Sequence, residues 1–316
     1  MLSNKARKLF KYLVKRLRSS VPRNRRVGTS TKRSEWSIGL LVGESPFHFA
    51  APTNVPNPVL KCADMTDVRA AYIADPFMIR SNNVWHMFFE IVNQDTAKGE
   101  IGLARSEDGL MWSYQQLVLA EPFHLSYPYV FAWKNTYYMI PETYQANAVR
   151  LYQAMDFPTR WSYVATLLTG RDFVDSSIVR FHDTWWLFTG LGRLPLRADT
   201  LRLFYAKELL GPWSEHPLSP IIENNACIAR PGGRVLKVGG NLVRYTQDCV
   251  PQYGTRVRAF EITHLTTTHY HEREVGETPV LGGSGSGWNA SGMHHIDPHR
   301  LDDGRWIACV DGWCTV

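Results

Sequence analysis

Hydrophobic residues along this chain recur in short extended runs, and each run directly follows a turn. Short apolar and aromatic runs of this kind favour β-strands, and Asn, Asp and Gly pairs in front of them favour hairpin turns. Asn82-Asn83 and Gly239-Gly240 are two such pairs. The runs that fit the pattern are 84–90, 136–142, 184–190, 241–247 and 305–312.

Further extended segments lie on both sides of these runs, which makes the pattern a repeat. The preceding segments are 74–81, 127–133, 175–181, 229–238 and 294–301, and the following ones are 100–106, 148–154, 200–206 and 256–262. An outer strand is predicted after each of Trp112, Trp161 and Trp213. Each unit is therefore predicted to contain four antiparallel strands in about 50 residues, which is the size of a propeller blade.

The fifth unit reaches the C-terminus after only two strands. The segment WSIGLLVG (36–43) resembles the third-strand segment EIGLARS (100–106). We expect the N-terminal strand to complete the last blade, because this closes the ring and leaves no open sheet edge. The predicted fold is all-β, a five-bladed β-propeller over residues 35–316. A β-sandwich is the alternative, and the five-fold repeat argues against it.

Positive charge is concentrated at the N-terminus. Residues 1–34 contain 12 Lys and Arg and no acidic residue, whereas the remainder has 23 basic and 29 acidic residues. Apolar residues at helical spacing up to Leu17 predict a short basic amphipathic helix, and residues 1–20 would suit an anionic membrane surface. A disordered leader and a mitochondrial-type transit peptide are the alternatives. Because the body has no basic patch, we expect no nucleic-acid partner.

Composition narrows the class of protein further. The 316 residues are 44% hydrophobic and 12% aromatic, which argues against a disordered chain. The five cysteines form no C-x-x-C pair, so a reducing compartment is favoured over a disulfide framework or a zinc ribbon. No apolar run is long enough to span a bilayer, and no secretory signal is found. We therefore expect a cytoplasmic protein, peripheral at the inner face of the membrane.

Polar residues interrupt the apolar pattern at equivalent positions of the repeat. In a propeller the first strand of each blade lines the central channel, and its start lies beside the end of the second strand. One set of polar residues stands at the starts of the first strands, and another stands at the ends of the second strands. Both sets therefore face the same mouth of the channel. The first set is Asp75, Tyr127, Asp175, Arg230, His294 and His295, and the second is Glu90, Glu142, Gly190, Gln247 and Asp311.

Several carboxylates at one channel mouth point to chemistry on a glycosidic bond. One carboxylic acid protonates the leaving oxygen while another attacks or activates water, and neighbouring carboxylates separate each other's pKa values. We predict Asp75, Glu142 and Asp175 as catalytic residues. Substrate binding is assigned to Glu90, Tyr127, Arg230, Gln247, His294, His295 and Asp311, with Tyr127, Tyr129, Trp186 and Trp288 as stacking platforms.

We predict no cofactor and no dedicated metal site. Adjacent residues on a strand point to opposite faces, so at most one of His294 and His295 is expected to enter the channel. Structural roles stay open for the other candidates. Asp75 and Asp175 could be turn residues, and Glu142 could pair with Arg150. Arg230 could serve only to neutralise the carboxylates.

A set of segments along the chain resembles one known family. The segments are ADPF (74–77), GEIGLARSEDGLMW (99–112), FHLSYPYVF (123–131), YYMIPET (137–143), RLYQAMDFPTRW (150–161) and GMHHIDP (292–298). From about Trp36 to Trp313 the chain resembles the N-terminal domain of plant glucosamine inositolphosphorylceramide transferases and its bacterial relatives. That domain is related to the arabinanase, levansucrase and invertase propellers, the glycoside hydrolase family 43-like superfamily.

The resemblance implies a role for two of the acidic residues. Asp75 matches the first-blade Asp that acts as base or nucleophile, and Asp175 stands where the third blade supplies the acid. The second-blade carboxylate of the superfamily is replaced by Tyr127, and Glu142 on the next strand is expected to compensate. In the plant proteins the glycosyltransferase domain is a separate C-terminal one, which this sequence does not include.

The function predicted from the sequence is action on a glycosidic bond in glycan or glycolipid biosynthesis, in particular glycosyl transfer in surface-polysaccharide assembly. The expected substrate is a glycan, a glycolipid or a nucleotide sugar. Two alternatives stay open: a family 43-like glycoside hydrolase, or a non-catalytic sugar-binding scaffold for a partner glycosyltransferase.

Overall fold

The computed structural model of the chain describes residues 33–191, 198–276 and 279–316. These residues form 22 strands and three 3-10 helices, Cys62–Asp64, Tyr144–Ala146 and Gly287–Asn289. The all-β prediction is confirmed for this part of the chain. The predicted basic helix at the N-terminus lies outside the described residues. Within the described ranges, no helix has the length and apolar character needed to cross a membrane.

The strands form five antiparallel sheets, the blades of a five-bladed propeller. The chain begins with β1 (Ser34–Ser45) and β2 (His48–Ala50), which belong to the last blade. Blade 1 contains β3 (Ala70–Ser81), β4 (Val84–Asn93), β5 (Lys98–Ser106) and β6 (Ser113–Leu119). Blade 2 contains β7 (Ser126–Trp133), β8 (Thr136–Glu142), β9 (Ala148–Asp156) and β10 (Arg160–Thr169). Blade 3 contains β11 (Phe173–Phe181), β12 (Thr184–Leu191), β13 (Thr200–Ala206) and β14 (Ser214–Glu215).

Blade 4 differs because its inner and outer strands are each divided in two. Its strands are β15 (Arg230–Pro231), β16 (Leu236–Val238), β17 (Asn241–Asp248), β18 (Arg256–Leu265), β19 (Tyr270–Glu274) and β20 (Leu281–Gly282). β15 and β16 both pair with β17, and β19 and β20 both pair with β18.

Blade 5 joins the two ends of the chain, as the sequence predicts. It contains β21 (Ile296–Arg300) and β22 (Trp306–Thr315), followed in space by β1 and β2. β1 pairs with β22 from Ser34–Thr315 to Gly43–Trp306. The N-terminal strand therefore closes the ring.

The turns between first and second strands have the backbone that the sequence predicts. In blades 1 to 3 the two central residues both have positive φ, for example 49° at Asn82 and 63° at Asn83. The two glycines at the same place in blade 4, Gly239 and Gly240, have φ of 57° and 91°. Such turns match the right-handed twist of the flanking strands, which fixes the hairpin register.

The hydrophobic core lies between neighbouring blades rather than inside each one. One cluster joins blades 1, 2 and 3 through residues such as Phe88, Met139 and Leu187. Another joins blade 5 to blade 1, for example through Ile38 and Ile73. Further clusters join blades 3 and 4 and blades 4 and 5. Each large apolar side chain buried in this way stabilises the ring by about 1.5–3 kcal/mol.

Candidate functional site

The inner strands of blades 1, 2 and 3 share a bulge near their starts. The register shifts between Ala74 and Phe77 in β3, and at the corresponding places in β7 and β11. At these bulges Asp75, Tyr127 and Asp175 have φ of 54°, 45° and 47°. This conformation is uncommon for residues other than glycine, and bulges of this kind redirect a side chain. The same β-bulge in β3, β7 and β11 therefore places the side chains of Asp75, Tyr127 and Asp175 at equivalent positions around the channel.

All ten residues predicted for the site are buried, and none is more than 6% exposed. They come from all five blades. Hydrogen bonds or ion pairs join nine of them near the channel mouth, and the charge of Glu90 acts on Asp75. The ten residues are Asp75, Glu90, Tyr127, Glu142, Asp175, Arg230, Gln247, His294, His295 and Asp311.

Asp311, in the middle of β22, organises one side of the mouth. Its Oδ1 accepts hydrogen bonds from His294 Nδ1 at 2.7 Å and from the backbone N–H groups of His294 and His295 at 3.2 and 3.1 Å. Its Oδ2 accepts the backbone N–H of Asp75 at 2.9 Å. Blade 5 is thus tied to blade 1 at the site.

Arg230 organises the other side. Its Nε donates to Asp175 Oδ2, and its Nη2 lies 3.9 Å from Glu142 Oε2. Asp175 also accepts Gln247 Nε2 at 2.8 Å, and its own backbone N–H donates to Glu142 Oε2 at 3.0 Å. The alternative partner of Glu142, Arg150, instead lies against the rings of Phe123 and Tyr163, at 4.8 and 5.2 Å.

Asp75 lies between these two sides, and only one of its two carboxylate oxygens accepts a hydrogen bond from the described residues. Its Oδ2 accepts the backbone N–H of Tyr127 at 3.3 Å. Its Oδ1 is buried and accepts no hydrogen bond from the described residues. It lies 3.7 Å from His294 Nε2 and 3.9 Å from His295 Nδ1. The expectation that only one histidine enters the channel is wrong. Both residues precede β21, so the alternation of a strand does not apply to them.

Burial and neighbouring charge divide the titratable groups into two kinds. Burial raises the pKa of Asp75 and of Glu142 well above the ordinary carboxyl range, and the charge of Asp175 raises both further. For Asp311 burial acts in the same direction and is the largest single cause, but the attraction of His294 and His295 and the hydrogen bonds that Asp311 accepts together outweigh it and lower the pKa. Burial alone would lower the pKa of His294, but its attraction to Asp311 and Asp75 and its hydrogen bond to Asp311 together raise this pKa. Burial lowers the pKa of His295 to about 4. The surroundings thus favour a His294–Asp311 ion pair beside protonated carboxyl groups.

Glu90 at the mouth has two partners that the sequence did not reveal. It accepts the Tyr72 hydroxyl at 3.3 Å and lies 3.1 Å from His124 Nε2. His124 Nδ1 accepts the backbone N–H of Gly99 at 2.9 Å, so the neutral ring carries its proton on Nε2 and donates it to Glu90. The available signal for His124 was its place in FHLSYPYVF (123–131).

The aromatic residues around the mouth also differ from those predicted. The Trp36 and Tyr253 rings lie 4.6 and 4.9 Å from the His294 ring, and the Tyr144 ring lies 5.9 Å from that of His124. The prediction of stacking platforms is wrong for Tyr129 and Trp186, and for Trp288, which is only partly buried, it stays a prediction. Tyr129 and Trp186 are buried and donate to Ile178 O and Phe181 O, and Trp288 covers Gly39 and Gly312.

Tyr127, the fourth predicted platform, is buried and its hydroxyl is committed. It accepts the Gly233 N–H at 2.8 Å and lies 2.9 Å from Ser177 Oγ and 3.0 Å from Gly233 O. Tyr127 therefore holds blades 2, 3 and 4 together, and the platform prediction is wrong for it as well.

Three of the site residues also have the spacing of a cation site. Ligand atoms of Asp75, His294 and Asp311 all lie within 4.8 Å of one another. The expectation of no metal site was argued from the alternation of side chains along a strand, and that argument does not apply to this cluster. Whether the site takes an ion stays a prediction. Its existing hydrogen bond between His294 and Asp311 holds two of the three ligands without an ion.

A second polar cluster lies farther along the channel and was not predicted. Arg234 Nε donates to Asp297 Oδ1 at 2.6 Å, and its Nη1 donates to Val130 O at 2.9 Å. Asp297 Oδ2 accepts the Met78 N–H at 2.7 Å and lies 2.9 Å from His299 Nε2. Because these groups satisfy one another across four blades, the cluster is structural.

Comparison with known proteins gives a consistent family match. The family model described as glucosamine inositolphosphorylceramide transferase 1, N-terminal, matches residues 29–313. The glucosamine inositolphosphorylceramide transferase 1 of Oryza sativa subsp. japonica is 35% identical over 312 residues, covering 92% of this chain and 42% of the rice protein. The Arabidopsis thaliana protein of the same name is 34% identical, covering 88% of this chain and 39% of its own length. The chain thus spans about two fifths of the curated relatives it matches.

Solved structures with a similar fold are glycoside hydrolases. The catalytic domain of the Coprinopsis cinerea GH62 α-L-arabinofuranosidase has a TM-score of 0.59 and 13% identity and covers 84% of each chain. An exo-1,5-α-L-arabinanase from a bovine ruminal metagenomic library has a TM-score of 0.53 and 14% identity, covering 77% of this chain and 88% of its own. At this level of identity the likeness shows the fold.

Proposed function

Because the chain belongs to the glucosamine inositolphosphorylceramide transferase 1 N-terminal family, we propose that its propeller acts on a glycosidic bond of a glycolipid. The reaction that fits the site best is glycosyl transfer. The donor would be a nucleotide sugar or another glycoside, and the acceptor a hydroxyl of the glycolipid headgroup.

The observation that carries this proposal is the pair of buried carboxyl groups of Asp75 and Glu142. Both have pKa values raised by burial, and both lie beside Asp175. A carboxyl group that stays protonated near neutral pH can act as a general acid, and a second one in its ionised form can act as base or nucleophile.

The proposed roles follow from the contacts. Glu142 protonates the leaving oxygen. Asp75, after it has released its own proton to solvent, removes the proton of the attacking hydroxyl or forms the covalent intermediate. Asp175 positions Glu142 and Arg230 through its hydrogen bonds to both. Arg230 and His294 would bind substrate hydroxyl or phosphate groups.

A second candidate function is a non-catalytic sugar-binding domain that serves a partner glycosyltransferase. The observation in its favour is Tyr127, which occupies a position where the family resemblance implies a carboxylate. Its hydroxyl is engaged by Ser177 and Gly233, so it provides neither charge nor a free hydroxyl.

Replacement of the two carboxyl groups distinguishes the candidates. We expect Asp75→Asn and Glu142→Gln each to lower turnover at least about 100-fold, because each removes one proton-transfer group. Turnover would be measured with nucleotide sugars plus inositol-containing glycolipids and with nitrophenyl glycosides. Circular dichroism and the melting temperature would confirm the fold.

The matched control is Asp302→Asn, because the Asp302 side chain is 92% exposed and pairs with Arg80 at the surface. Its turnover should equal that of the wild type. Undiminished turnover in Asp75→Asn and Glu142→Gln would refute the catalytic proposal. Absent turnover in all forms, with sugar binding weakened by the two site variants, would favour the scaffold.

A further inference from the structure

We propose that the β18–β19 hairpin of blade 4 binds a divalent transition-metal ion through the imidazole groups of His264, His269 and His271. The proposal does not depend on the carbohydrate function, because the hairpin is separate from the channel mouth. The sequence argument against a metal site concerned His294 and His295, so it does not bear on these three histidines.

The backbone of the hairpin brings the three histidines together. His264 on β18 and His271 on β19 are register partners in the antiparallel pair. Directly opposite residues of such a pair share one face of the sheet, with Cβ atoms about 4.5–5.5 Å apart. His269 immediately precedes β19, and its ring centre lies 6.0 Å from that of His264. His264 is therefore next to both of the other imidazoles.

The histidines lie on the solvent side of the hairpin. The next pair of register partners, Leu265 and Tyr270, packs against the hydrophobic cluster between blades 3 and 4. Adjacent side chains of a strand point to opposite faces, so His264 and His271 point away from that cluster. All three histidines are exposed. Rotation of their rings toward one ion therefore displaces no packed side chain.

Threonine hydroxyls hold Nδ1 of two of these histidines. Thr263 Oγ1 lies 2.8 Å from His271 Nδ1, and Thr268 Oγ1 lies 2.9 Å from His269 Nδ1. The Thr263 hydroxyl donates to His271 O at 3.3 Å, so its oxygen is able to accept the Nδ1–H. A ligating histidine commonly donates its second N–H to an acceptor, which fixes the tautomer and orients the ring. Nε2 of His269 and of His271 is then the metal-binding atom.

The donor set selects the class of ion. Three imidazole nitrogens suit zinc, copper or nickel, whereas calcium and magnesium require oxygen ligands. Zinc with three protein nitrogens keeps a fourth, tetrahedral position for water. Two residues beyond His271, Arg273 forms an ion pair with Glu261 at 2.6 Å, so its positive charge is balanced. Zinc is the ion with which the site is best probed.

The hairpin lies at the end of blade 4 that is remote from the mouth. β18 begins beside Gln247, which is the register partner of Val257, and it ends at Leu265. At the rise of a β-strand, His264 is about 20 Å farther along the blade than Gln247. The register of β18 and β19 shifts between Ile262 and His264, and an ion that joins both strands would offset this interruption. The proposed site is therefore structural and stabilises the outer edge of blade 4.

Calorimetry with zinc chloride tests the site on the full chain, purified without a polyhistidine tag. We expect one zinc ion per chain with a dissociation constant of about 10 µM or below, and a higher melting temperature in zinc than in EDTA. His264→Gln and His271→Gln should each weaken zinc binding at least about tenfold, and an excess of calcium should not compete. The matched control is His182→Asn, because His182 is also exposed and Asn tolerates its φ of 46°. Its zinc affinity should equal that of the wild type.

X-ray absorption at the zinc edge identifies the ligands and needs no variant. The spectrum of the wild type should show about three imidazole nitrogens at about 2.0–2.1 Å. Equal zinc affinity in the wild type and in both hairpin variants would overturn the proposal and point to the mouth cluster of Asp75, His294 and Asp311. An oxygen-rich coordination shell, or no heat of binding at about 100 µM zinc, would overturn it as well.

Discussion

Single residues at the three inner-strand bulges determine the chemistry of the mouth. Asp75, Tyr127 and Asp175 share one left-handed backbone position, but only two of them bring a carboxylate. A phenol at the middle position provides hydrogen bonds to Gly233 and no negative charge. Glu142, from the adjacent strand, contributes the acidic group on that side instead, and Arg230 stabilises it.

The raised pKa of Glu142 predicts a pH dependence of stability. A carboxyl group whose pKa is higher in the folded state than its unfolded value of about 4.3 binds its proton more tightly when folded. Its contribution is therefore complete in acid and is lost as the pH rises through the folded pKa. As the pH rises above about 4, the wild type should lose unfolding free energy relative to Glu142→Gln, because only the wild type must give up a proton that its folded state binds more tightly.

Urea unfolding at a series of pH values measures this difference, with Asp302→Asn as the exposed control. Curves for wild type and Glu142→Gln that run parallel over the whole range would show that folding does not shift the pKa of Glu142.

At the scale of elements, the hairpins and blade contacts explain why blade 4 differs. Gly232 and Gly233 interrupt its inner strand between β15 and β16. Gly233 has a φ of 149°, and a Cβ atom there would lie 1.8 Å from Ile296 O. Gly233 also forms a parallel bridge with Ile296. Only a glycine lets blades 4 and 5 approach this closely.

This contact predicts a large difference between two glycine substitutions. Gly233→Ala should lower the unfolding free energy by about 3 kcal/mol or more, because it adds a backbone collision to an unfavourable φ. Gly239→Ala is the matched control, since φ is also positive there but nothing lies within 4 Å of the added Cβ. Its cost should be about 1 kcal/mol. Equal losses in denaturant unfolding would contradict the close approach of the two blades.

At the scale of the whole molecule, closure of the ring depends on the first described strand. β1 is the third strand of blade 5, and its Ile38 and Leu40 belong to the cluster that joins blade 5 to blade 1. Without β1, the full length of β22 would be an open edge, and that cluster would lose one wall.

Two truncations test this closure and the expected role of the tail. A chain that begins at residue 33 should keep the melting temperature and monodisperse elution of the full chain but lose co-sedimentation with vesicles rich in anionic lipid. A chain that begins at residue 46 should aggregate or fail to fold. A folded protein without β1 would contradict the closure, and undiminished vesicle binding without residues 1–32 would contradict the membrane role of the tail.

The sequence by itself determined the repeat, the strands and the position of most site residues. Strand periodicity and turn residues are local properties, so the hairpins at Asn82-Asn83 and Gly239-Gly240 could be predicted from neighbours in the chain. Equivalent positions in a repeat occupy equivalent places around the ring. The repeat alone therefore predicted that Asp75, Glu142 and Asp175 lie near one another. The split last blade was likewise visible in the similarity between 36–43 and 100–106.

Only the tertiary structure decided which groups around those positions meet. His124, Tyr72 and Tyr253 come from loops or from a strand start whose positions depend on the packing of blades, so the strand repeat does not mark them as site residues. The two histidines face Asp75 together because they lie outside a strand, so the rule of alternation could not place them. The raised pKa values of Asp75 and Glu142 were also beyond the sequence, because they depend on burial and on charges contributed by other blades.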